Sequence, residues 1–170
     1  MNTLFKILSA SLVITLVFVS EGSAQRIKHN IESLRGLKGI MMAIEDLKPD
    51  IEEDGLSQEK IQTDVELKLR LAGIIVLDDN GWLNEPGQPY LYVNINSKKN
   101  NAAGIYAFNI GVSLKQNVII ARVPELLIST ETWQAENVGY ISVKNAAGMR
   151  DLIKDVVDIF INDFLAVNTK

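Results

Sequence analysis

The longest patterned stretch of the chain runs from Gly104 to Val123, GIYAFNIGVSLKQNVIIARV. Tyr106, Phe108, Ile110, Val112, Leu114, Val118 and Ile120 recur at every second position, the period of a β-strand with one face buried. Arg122 falls on the same phase, and the positions between are mixed. Strands average about five or six residues. The run therefore predicts either one long bent strand or two strands meeting near Lys115-Gln116-Asn117. Tyr90 to Ser97 alternates as cleanly, with Leu91, Val93 and Ile95 on one side and Tyr90, Tyr92, Asn94 and Asn96 on the other. That is a strand with a dry face and a wet one. A first strand is expected from Lys38 to Leu47, stopped by Pro49, and a short one from Ile74 to Asp78. Asn80-Gly81 then signals a two-residue hairpin returning through Trp82-Leu83. Further strands are expected around Ser129 to Gln134 and, after a turn at Asn137-Val138-Gly139, at Tyr140-Ile141-Ser142.

Two stretches carry helical period instead. In Ser57 to Ala72 the stripe is Ile61, Val65, Leu69 and Ala72, widened by Leu67 and Leu71. Ser57 is placed to cap the helix, Leu56 to meet Ile61 as a staple, and Gly73-Ile74 to close it in a Schellman turn. From Asn145 to Val167, Met149, Leu152, Ile153, Val156, Val157, Phe160, Phe164 and Leu165 form a broad apolar stripe, with Asp151, Asp155 and Asp158 opposite. The order of elements predicts an α+β fold: a two-layer sandwich, its sheet mainly antiparallel, with both helices packed on one face.

The amino terminus adds a cellular address. Lys6 precedes an apolar core, Ile7 to Val19, and Gly22-Ser23-Ala24 supplies small residues before Gln25. This is the pattern of an export signal, residues 1–24, cleaved near Ala24. Its core of about 13 residues falls short of the ~20 needed to span a bilayer, so no stable membrane span is expected after cleavage. Residues 25–36 read as a polar leader or a short helix, and residues 37–168 as one α+β domain. The expected location is the periplasm or the secreted fraction.

Composition narrows the chemistry. The chain has no cysteine, which excludes disulfides, thiolate metal sites and a thiol nucleophile. Its net charge is −4, and no basic stripe with interleaved aromatics occurs, so no nucleic-acid partner is expected. The single histidine, His29, lies in the leader with no placed partner. No G-x-S-x-G elbow, H-E-x-x-H helix or P-loop is present, so no catalytic residue is assigned. Asp50, Glu52, Asp54 and Gly55 match the first half of a calcium loop, but Ile61 stands where the twelfth-position glutamate belongs. The stretch therefore reads as an acidic turn, and neither a metal nor a cofactor is expected. Four residues are candidates for binding. Arg122 is suited to snorkel, to pair with a carboxylate or to hold an anionic group. Trp133 is either core or an exposed platform, and Tyr92 and Asn94 belong to the wet face of their strand.

The strand–helix–Gly-Ile order, with pieces such as VELKLRLAGI and TETW and a late C-terminal helix, resembles small exported bacterial α/β domains of unassigned function. At fold level, roughly residues 37–167 are similar to the N-terminal domain of the Tol-system periplasmic propeller protein and to lipopolysaccharide-assembly lipoproteins. The chain departs from the lipoproteins in lacking a lipidated cysteine, and no propeller follows. The expected function is a non-catalytic binding or envelope-assembly module that contacts a protein partner through a sheet edge or open sheet face. The alternative is a small-ligand binder using Arg122, or a carboxylate-dependent hydrolase.

Overall fold

A computed structural model describes residues 31–168 of the chain; the expected export signal and His29 lie outside the described residues. The elements in order are β1 (Gly39–Ile44), α1 (Pro49–Glu53), α2 (Gln58–Leu71), β2 (Ile75–Val76), α3 (Asp79–Asn84), β3 (Tyr90–Asn100), β4 (Ile105–Ile120), β5 (Val123–Ser142), a 3-10 turn (Val143–Gly148) and α4 (Met149–Asn168). The five strands form one sheet in the order β2-β1-β3-β4-β5, and β5 is one of its edges. β1 runs parallel to β2 and β3, whereas the long pairings β3–β4 and β4–β5 are antiparallel. The fold is α+β, with a mostly antiparallel sheet.

The stretch that dominates the sequence is a single strand. β4 continues through Lys115 with a register shift between Leu114 and Lys115, where Leu114 faces Trp133 but Lys115 faces Glu131. Thr132 is the extra residue of a β-bulge, which bends the strand and increases its twist. Tyr106, Ile110, Val112 and Leu114 are fully buried and Phe108 nearly so, so the alternating face does line the core. β5 is likewise one strand, and Asn137-Val138-Gly139 lies inside it rather than at a turn. Past Tyr90, which pairs with Lys115, β4 and β5 extend beyond β3 as a two-stranded arm ending in the Ala121-Arg122 turn.

The first long helix is built from the signals its sequence carries. Ser57 Oγ accepts from the Lys60 N–H at 3.3 Å, and Leu56 and Ile61 are both buried. At the other end Gly73 N–H donates to Arg70 O and Ile74 N–H to Leu69 O, each at 3.0 Å, which satisfies carbonyls a helix end leaves open. Leu67 and Leu71, expected to widen the buried stripe, are instead exposed, at 55% and 79%. Their turn of the helix faces away from Val65 and Leu69. In α4, Met149, Ile153, Val156, Val157, Phe160, Ile161 and Phe164 are buried. Two ion pairs join the helices: Lys68 to Asp158 at 2.5 Å, and Arg150 to Asp64 through two hydrogen bonds of 2.8 and 2.9 Å.

Two further expectations are corrected. Asn80-Gly81 is not a hairpin: Asp78 Oδ1 accepts from the Gly81 N–H at 2.8 Å and caps the short helix α3. The acidic stretch after Lys48 is partly helical, with proline at its start and Ile51 buried. The core also reaches into residues 31–36. Leu34 is fully buried, and Asn168 Nδ2 donates to its carbonyl at 2.8 Å.

β1 meets β2 where no side chain fits. A Cβ on Gly39 would stand 2.9 Å from Leu77 Cγ and Cδ2 and 3.0 Å from the Ile75 carbonyl oxygen. Gly39→Ala is therefore expected to destabilise the fold by about 1–3 kcal/mol through overpacking. A lower urea midpoint with an unchanged m-value is the measurement that checks it.

Candidate binding face

The side chains of β3, β4 and β5 that point away from the buried alternation lie in rows set by the register. Tyr92, Ser113 and Gln134 form one row, and Asn94, Gly111 and Glu136 the next. Asn96, Asn109 and Val138 follow, then Lys98, Ala107 and Tyr140. Because the bulge spends one residue at Thr132, Glu131 stays in phase with Gln134 and Glu136 on this face.

A cleft of about 110 Å³ opens here, lined by Tyr92, Asn94, Gly111, Ser113, Lys115, Glu131, Gln134 and Glu136 among others. Lys115 Nζ lies 3.9 Å from the centroid of the Tyr92 ring, a cation–π contact. Asn94 Nδ2 donates to Glu45 Oε2 and Asn96 Nδ2 to Asn94 Oδ1, the latter at 2.9 Å. Burial and then the neighbouring Glu45 carboxylate push the Tyr92 hydroxyl above its ordinary pKa, so it stays a neutral donor at physiological pH. Toward the arm a wider depression of about 500 Å³ is lined by Leu83, Pro86, Asn117, Ile119 and Leu127 among others. Asn117 N–H donates to Gly87 O at 2.7 Å and Asn117 Nδ2 to Gln88 Oε1 at 2.9 Å, fastening the 85–89 loop to β4 beyond the start of β3.

Of the four candidate residues, Tyr92 and Asn94 share this cleft. Trp133 does not. It is 1% exposed, and its Nε1 donates to Asp163 Oδ2 at 2.9 Å, so it belongs to the core and is no platform. Arg122 does not continue the apolar phase either, because the turn interrupts the strand before it and leaves it exposed at the arm's tip. The acidic side chains of the face were missed. Their signal was present in the sequence: Val123 to Ser142 contains Glu125, Glu131 and Glu136 and neither lysine nor arginine.

Two carboxylates of β5 share this face. Glu131 and Glu136 pair with Lys115 and Gly111, four residues apart on β4, which puts their backbones about 13 Å apart along the strand. Arg122 does not line the cleft that holds them. Among the described residues, no three His, Asp or Glu side chains are grouped to hold a metal ion, and no helix is long and apolar enough to cross a membrane. The chain matches no protein-family model and no curated protein.

Proposed function

We propose that the protein is an exported, non-catalytic binding or assembly module of the cell envelope, which engages a protein partner through the open face and free edge of β5. The observation that carries this reading is an edge strand of 20 residues that keeps Val138 72% and Tyr140 76% exposed. Proteins normally shorten, cover or break such an edge, because it is a template for another strand. Here Pro124 and the bulge at Thr132 interrupt the first half, and residues 133–142 stay in regular register. The sequence of residues 1–24 supports the envelope as its place of work, and the resemblance to envelope-assembly domains agrees with it.

A photo-crosslinking amino acid placed at Val138 or Tyr140, in the cell that makes the protein, is expected to give light-dependent adducts with a discrete envelope protein. The same probe at Leu71, equally exposed but on α2, is the control. Equal adducts from all three positions, or none from the β5 positions, would remove β5 as the contact surface.

A further inference from the structure

Resting on that reading, we infer that the partner segment is an extended basic peptide, added as a strand along β5 with two cations opposite Glu131 and Glu136. Every charged side chain of β5 is a glutamate, and Glu125, Glu131 and Glu136 are all exposed. None of the three has an ion-pair partner among the described residues. The nearest cation across the register, Lys115, faces Glu131, yet its ammonium lies on the Tyr92 ring of β3. Among the described residues, the edge thus carries uncompensated negative charge beside open main-chain hydrogen-bonding groups, and opposite charges set across neighbouring strands attract.

A second copy of the chain does not answer that charge. Pairing β5 with another β5 adds no lysine or arginine to the seam, so the glutamates stay uncompensated.

The geometry also fixes the pattern of the ligand. Thr132 O already accepts from Ser33 Oγ at 3.1 Å, so main-chain pairing runs from Trp133 to Ser142, and Glu131 stands just past its end on the open face. An antiparallel ligand of about ten residues then presents apolar side chains to Tyr140 and Val138. Next come a cation at Glu136, a hydrogen-bonding residue at Gln134 and a second cation at Glu131, with the intervening positions on the other face. Backbone bonds supply affinity in this mode, and the alternate side chains supply selection.

The test uses the full mature chain and synthetic peptides. One peptide carries Val, Val, Lys, Thr and Lys at alternate positions, and a second replaces both lysines by glutamate. Fluorescence anisotropy is expected to detect the lysine peptide and not the glutamate one. The Glu131→Gln/Glu136→Gln double variant should weaken the lysine peptide about fivefold, the sum of two cross-strand pairs of about 0.5 kcal/mol each. Amide shifts on binding should fall within 133–142. Equal binding of both peptides, no binding of either, or shifts centred on α2 would overturn the inference. If the crosslinks at Val138 and Tyr140 persist while the lysine peptide fails, the contact face stands and only the partner's chemistry is wrong. Loss of both removes the two together.

Discussion

Replacing Trp133 by alanine should cost about 3–5 kcal/mol, the range for emptying a core position of its largest side chain. The indole ties the bulged part of β5 to α4. Its ring meets Phe160 edge-on, with centroids 5.1 Å apart at 74°, and its N–H donates to the Asp163 carboxylate. Whole domains are stable by only about 5–15 kcal/mol, so the loss takes a large share of the total. With an m-value of about 2 kcal/mol per M, the urea midpoint falls by about 2 M. Trp133→Phe separates the two contributions, because it keeps an aromatic against Phe160 and removes the donor to Asp163. A hydrogen bond to a charged group is worth about 1.5–3 kcal/mol, so the phenylalanine variant should fall between the wild type and the alanine variant. An alanine variant with an unshifted midpoint would mean that the indole does not hold β5 to α4.

Most of the frame was readable because its signals were local and agreed with one another. Ser57, Gly73 and Ile74 act on groups within one turn of themselves, so the ends of α2 follow from neighbouring residues alone. The buried face of β4 follows from strict alternation. The failures came where one local signal overrides another, or where a distant partner decides. Asn-Gly favours a hairpin only if strands flank it, and here Asp78 offers the Gly81 N–H a helix cap instead. Gly139 looked like a turn residue, but it stays in the strand facing Phe108. A Cβ there would lie 3.0 Å from Phe108 Cζ. Trp133 was ambiguous because its side depends on the extra residue at Thr132, and no local pattern announces a bulge. The same bulge keeps Glu131 and Glu136 in one row. The acidic character of the binding face was thus visible as composition, while its geometry was not.

The second large effect is expected at Tyr106, which anchors the turn between α1 and α2 to the sheet. Its side chain is fully buried, and its hydroxyl lies 2.9 Å from the Asp50 carbonyl oxygen and 2.7 Å from Asp54 Oδ2. Lys99 Nζ reaches the same Asp54 oxygen at 2.5 Å. Burial, and then the hydrogen bond to Asp54, push the tyrosine far above its ordinary pKa, so it remains a donor at neutral pH. Tyr106→Ala should cost about 3–5 kcal/mol by analogy with other buried aromatics. Tyr106→Phe should cost about 1.5–3 kcal/mol, since it removes only the donor to a charged group. The network also has an acid limb. Hydrogen bonds from Lys99, then from Tyr106, hold Asp54 below its ordinary value of 3.8. A carboxyl whose folded-state pKa is depressed contributes stability that is complete above the unfolded value and disappears as pH falls through the folded one. The difference in urea midpoint between wild type and Asp54→Asn should therefore be constant near neutrality and shrink as the pH drops below 3.8. A gap that persists undiminished in acid would show that Asp54 acts through its shape and hydrogen bonds, with its charge irrelevant to holding Lys99 and Tyr106 together.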